Sequence, residues 1–133
     1  MRRDFFLSEE DIEQLNARGL QWETINEGCY KWLLVHEFPT HEGYNVRTAT
    51  AAIQIPSSYP MEPLDMVYFY PALCTIDGAT IPNADCPMNI NGIQYQRWSR
   101  HRTQQNPWRC GLDNISAHLS LVEEWLEREF KRG

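Results

Sequence analysis

The run of apolar and polar positions divides the 133-residue chain into a helix, four short strands, a long stretch of no period, and a second helix. Leu7-Ser8-Glu9-Glu10-Asp11-Ile12 predicts the first helix start: Ser8 caps, acids fill the first turn, and Leu7 packs on Ile12 as a staple. Gly19 ends that helix. Leu20 to Ile25 and Tyr30 to Phe38 are rich in strand formers, and Asn26-Glu27-Gly28 between them supplies the turn of a hairpin. In Thr48 to Ile55 the residues Ala49, Ala51, Ile53 and Ile55 fall on one face, with threonines and Gln54 on the other, which predicts a half-buried strand with one wet face. Three prolines make Pro56 to Pro63 a turn or extended link, and Met66 to Tyr70 predicts a fourth strand.

From Pro71 to Gly111 neither period is sustained, which is long for a connection without structure and marks the segment as a place for function. Helical period returns from Leu112 to Phe130. There Ile115, Leu119, Val122 and Leu126 form a stripe widened by Trp125, Asp113 is placed to cap, and Glu123, Glu124, Glu127 and Arg128 face solvent. The expected fold class is α+β: an N-terminal helix, a four-stranded antiparallel meander, a long irregular loop and a C-terminal helix, in one domain over residues 1–133.

Composition narrows the functions. With 42% hydrophobic residues and five Trp the chain has the material for a core. A net charge of -6 argues against general attraction to nucleic acid or anionic membrane. No apolar run is long enough for a membrane span or signal peptide, so a reducing cytoplasm with free thiols is expected. Cys29, Cys74, Cys86 and Cys110 match no zinc-site spacing, so no metal site is expected. Between Cys86 and Leu112 there are four arginines and no acid, leaving -10 on the rest of the chain.

Tyr59-Pro60-Met61-Glu62-Pro63-Leu64-Asp65-Met66-Val67-Tyr68-Phe69 resembles the YPxxPP segment between the third and fourth strands of ubiquitin-conjugating enzymes. The strand ending Ile53-Gln54-Ile55-Pro56, the first helix and the hairpin stand in that family's order. Trp98-Ser99-Arg100-His101, Trp108-Arg109-Cys110-Gly111-Leu112-Asp113 and His118 are similar to motifs of a prokaryotic family of ubiquitin-conjugating-like proteins. Where the ordinary enzymes carry histidine-proline-asparagine, this chain has Ile81-Pro82-Asn83. The resemblance implies a carrier that takes the C-terminus of a ubiquitin-like protein from its activating enzyme and passes it to an acceptor. It implies no cofactor, ATP belonging to the activating partner.

Two residues compete for the acyl group. A thiol suits the relay because thiolate forms near neutral pH and leaves readily. Cys86 lies in the loop between the fourth strand and the last helix, at a distance from the proline motif close to the family's. Counting back instead from Trp108, where the resemblance puts the nucleophile about eight residues before the tryptophan that introduces the next helix, a count of nine lands on Ser99. Ser99 has His101 two residues away and Arg97, Arg100, Arg102 and Arg109 around it in sequence. An imidazole is the least a serine needs as base, and arginines are donors for a developing oxyanion, with Arg100 the first choice. Asp113 is placed to orient His101 if the loop folds back onto the last helix. The plainer reading has Ser99 cap a turn and His101 satisfy a carbonyl. Cys29, Cys74 and Cys110 are read as small packing residues, and His36 and His41 as structural.

Two rival functions share these residues. One is a noncatalytic binding module like the RWD domains of the same fold. The other is a nucleic-acid groove in which Tyr95, Trp98 and Trp108 stack bases beside the arginines, against which the acidic remainder of the chain argues.

Overall fold

A computed structural model describes residues 2–105 and 107–131, the side chain of residue 131 apart. The elements are α1 (Glu9–Ala17), β1 (Trp22–Glu27), β2 (Tyr30–Pro39), β3 (Thr48–Gln54), β4 (Val67–Tyr70), β5 (Cys86–Ile90), β6 (Ile93–Trp98) and α2 (Ile115–Lys131). The strands form one antiparallel sheet in the order β1-β2-β3-β4-β6-β5. The class is α+β as expected, but the sheet has six strands among the described residues, not four.

The two additional strands form a hairpin inside the stretch expected to be irregular. Its turn is Asn91-Gly92, both at positive φ (52° and 78°), the conformation that two-residue hairpin turns demand and that Asn-Gly supplies. β5 is an edge strand and carries Pro87, which removes a ladder donor and hides the strand from a propensity reading. In β6 only Tyr95 and Trp98 are buried, so the alternation is incomplete.

At the other end of the chain Ser8 caps α1, its hydroxyl accepting from the Asp11 amide at 3.2 Å, and Gly19 follows the helix at φ 74°. The first hairpin turns on Gly28-Cys29, one residue later than expected, with Gly28 at φ 61°. β2 bulges between Val35 and Phe38, where Glu37 has φ 52°.

Both faces of the sheet carry apolar clusters. α1 and α2 cover one face, where Leu15, Leu119, Val122, Trp125 and Leu126 meet Leu33, Val35, Ala51, Ile53, Phe69 and Trp98. On the other face Ile25, Trp32, Leu34, Ala52, Tyr68, Ile90 and Tyr95 form a second cluster to which, among the described residues, no helical residue belongs. Ala52 lies in it, so the second face of β3 is not uniformly wet; Thr50 and Gln54 remain half-exposed. The stripe expected on α2 is buried throughout. The helix starts later than expected, and its cap is Asn114, whose Oδ1 accepts from the Ala117 amide at 2.9 Å. Asp113, expected there, turns back to Arg109 instead, accepting from its amide at 2.6 Å and from its guanidinium at 3.2 Å.

Tyr59 ties the two helix starts together. Its hydroxyl donates to Asp11 Oδ2 and accepts from the Ile115 amide, both at 3.0 Å. Burial and the neighbouring Asp11 push its phenol above the usual tyrosine range, so it stays a donor. The YP segment thus anchors the entrances of α1 and α2, and fixes the connection from which β4 enters the sheet.

Candidate functional site

β6 delivers Trp98 into the core and Ser99 to its rim. Trp98 is fully buried, edge-on to Phe69 with ring centres 5.2 Å apart, and its indole donates to Gln96 Oε1 at 2.8 Å. Gln96 also brackets Leu73, accepting from its amide at 2.9 Å and donating to its carbonyl at 3.0 Å. With β6 held in this way, the Ser99 amide donates to the Asn83 carbonyl at 2.9 Å. Asn83 has φ 55° and closes the Ile81-Pro82-Asn83 segment, anchored by buried Ile81 and Ala84. That segment therefore lies against Ser99. The Ser99 hydroxyl has no hydrogen-bond partner among the described residues.

The second motif tryptophan holds the far end of the loop. The Trp108 indole donates to the Pro60 carbonyl at 3.0 Å, and its ring lies 6.1 Å from that of Tyr59. Between the two tryptophans Arg102 points inward: its Nε donates to the Leu64 carbonyl at 2.7 Å, Nη2 donates to His118 Nδ1 at 2.8 Å, and the guanidinium stacks 4.8 Å over Trp108. His118 is fully buried and donates from Nε2 to the Met66 carbonyl at 2.9 Å. Because Nδ1 receives the arginine and Nε2 donates, the ring is the neutral Nε2–H tautomer. Burial first, and then the nearby Arg102 charge, push it down to about 4.

His101 stands outward, with 63% of its side chain exposed, and its Nδ1 meets Asp65 Oδ2 at 2.9 Å. The partner expected for it, Asp113, is taken by Arg109. Asp65 could not be found by local spacing, since 36 residues separate it from His101. Its position at the end of the proline motif is the only mark it carries in the sequence. No hydrogen bond joins His101 to Ser99 among the described residues.

The four arginines do not form a ring, because each has found its own partner. Arg100 is drawn inward to Glu129 at 3.1 Å, the two side chains 13% and 6% exposed. It stacks over Trp98 at 4.8 Å and directs Nη1 to the Ser99 carbonyl at 3.3 Å. Arg97 is exposed on β6 with Nη2 4.0 Å from Met66 Sδ, and Arg109 pairs with Asp113. Two of the four arginines thus meet carboxylates, Glu129 and Asp113, which lowers the positive charge that a nucleic-acid groove would need.

Cys86 opens the edge strand β5, exposed, in register with Arg97 and so at the same end of the hairpin as Ser99. Cys29 and Cys110 are exposed and Cys74 half-buried, so the thiols are not the buried packing residues expected. Cys29 lies in a two-residue turn that has no interior, and Cys110 rests against Met61, with the sulfurs 3.5 Å apart. His36 bridges Glu23 and Thr50, and His41 stacks on Phe130 at 4.5 Å, both as structural side chains.

No helix among the described residues is long and apolar enough to cross a membrane. No curated protein and no solved structure matches the chain. A family model, Prokaryotic E2 family E, matches residues 7–129, which takes in α1, all six strands, both tryptophan motifs and nearly all of α2. The chain therefore belongs to prokaryotic E2 family E, a family of ubiquitin-conjugating-like proteins.

Proposed function

We propose that the chain is, as a single domain, an acyl carrier that receives the C-terminus of a ubiquitin-like protein from an activating enzyme on Ser99 and passes it to an acceptor. Family membership carries the general role in ubiquitin-like conjugation. The observation that favours Ser99 over Cys86 is the bond from its amide to the Asn83 carbonyl, which joins it to the segment that stands where the ordinary enzymes carry histidine-proline-asparagine. Cys86, on the open edge of the sheet, is the alternative nucleophile.

In the loading step the Ser99 Oγ–carbon bond forms as the bond from the carbonyl carbon to the activating enzyme breaks. The hydroxyl proton passes to His101 Nε2 and from there to the departing group. In the second step the acceptor attacks the ester carbonyl and gives up its proton to His101 Nε2, and the protonated His101 passes that proton to Ser99 Oγ as the Oγ–carbon bond breaks. This return is needed because an alkoxide leaves less readily than a thiolate. Arg100, the guanidinium expected at the tail or oxyanion, is paired with Glu129, and through Nη1 on the Ser99 carbonyl its part is to hold the Ser99 backbone in place.

The test is adduct formation with the activating enzyme, ATP and the ubiquitin-like protein. Ser99→Ala abolishes the adduct and Cys86→Ala leaves it intact. The converse pattern transfers the role to Cys86, and a stable complex without any adduct makes the chain a binding module.

A further inference from the structure

We propose that Asp65 is a positioning residue for His101, fixing which ring nitrogen acts as the base. The inference rests on the Ser99 relay reading and adds to it a residue from the distant proline motif. An ionised carboxylate only accepts, so the 2.9 Å contact from Asp65 Oδ2 requires the proton of neutral His101 to sit on Nδ1. Nε2 then presents its lone pair outward, and it has no hydrogen-bond partner among the described residues. This is the division of labour between aspartate and histidine in hydrolytic triads, where the acid selects tautomer and orientation without itself taking the proton.

The geometry around Asp65 is built to hold the carboxylate still. Its second oxygen accepts from the Met66 amide at 3.1 Å and from the Arg102 amide at 3.3 Å, so one carboxylate joins the start of β4 to the loop that carries His101. Met66 takes φ 60°, a left-handed backbone that costs a non-glycine residue roughly 1–2 kcal/mol. That conformation is held from the other side, where the Met66 carbonyl accepts from buried His118. Arg102 closes the arrangement by binding both the Leu64 carbonyl and His118. An exposed His–Asp pair contributes only about 0–1 kcal/mol to stability, which is too little to account for a strained backbone and two main-chain donors committed to it. Control of the tautomer is what the arrangement achieves.

The experiment uses the whole chain, with nitrogen-15 long-range NMR reading the His101 tautomer and a fluorophosphonate as the Ser99-directed probe. The wild type holds neutral His101 as the Nδ1–H form and Ser99 is labelled. Asp65→Asn moves the ring toward the Nε2–H form and slows labelling by at least about tenfold, against about 10⁴-fold where an assembled triad loses its orienting acid. Asp65→Glu recovers part of both. If Asp65→Asn leaves tautomer and labelling rate unchanged, the role assigned to Asp65 is wrong while the relay reading stands. If wild-type Ser99 is not labelled, or His101→Ala is labelled at the wild-type rate, the relay reading fails and the function given to Asp65 fails with it. Unfolding midpoints of the variants within the surface range separate either result from a loss of fold.

Discussion

Acidification should unlock the loop through His118. The folded ring gives up its proton down to about pH 4, whereas an unfolded histidine binds one below roughly pH 6.5. Between those values the unfolded chain holds more protons, so stability is fully present above the unfolded value and is lost as pH falls toward the folded one. The full difference corresponds to about 3 kcal/mol, and lowering pH from about 7.5 to about 5 costs about 2 kcal/mol of it. The structural cause is that a protonated ring would set Nδ1–H against the Arg102 guanidinium, 2.8 Å away in a fully buried site. Urea unfolding followed by tryptophan fluorescence reads this directly: with a slope of about 2 kcal/mol per molar, the midpoint falls by about 1 M over that pH interval. His118→Gln supplies an amide oxygen for Arg102 and an amide donor for the Met66 carbonyl without a titrating group, so it should lose most of the pH dependence. A wild-type midpoint unchanged between those pH values, or an equal fall in His118→Gln, would refute the reasoning.

Two further perturbations probe the frame of the site. Arg100→Ala deletes the guanidinium 3.1 Å from Glu129, in a pair whose side chains are 13% and 6% exposed, and should lower stability by about 1–3 kcal/mol in the same unfolding assay; a change under about 1 kcal/mol would show the pair to be solvated. Tyr59→Phe deletes the hydroxyl shared by Asp11 and the Ile115 amide and should cost about 1–3 kcal/mol, with hydrogen exchange quickening first at the start of α2; uniform protection along α2 would contradict this account of its entrance.

How much of this was legible in the sequence depended on the range of the interactions. Ser8, the stripe of α2 and the alternation in β3 act within one element, where periodicity and capping chemistry report directly on burial. The hairpin of β5 and β6 was hidden because an edge strand needs no continuous apolar face and tolerates Pro87, although Asn91-Gly92 marked its turn. The proline and tryptophan motifs carried the resemblance, and the matched family bears out that part of the reading. The partners of the loop were beyond local reading. Glu129 for Arg100 and Asp65 for His101 come from segments 29 and 36 residues away, and no spacing rule links them. The arginines clustered in sequence around Ser99 part for a similar reason: Arg100 and Arg102 are drawn to remote acceptors, Arg109 to the nearby Asp113, and Arg97 stays exposed on β6.

The central claim is that Ser99 carries the acyl group, and it is tested most directly by mass spectrometry of the proteolysed adduct formed with the activating enzyme, ATP and the ubiquitin-like protein. The account predicts that the tail remnant lies on the peptide containing Ser99, joined as an ester that hydroxylamine releases more slowly than a thioester. A remnant on Cys86 would contradict it.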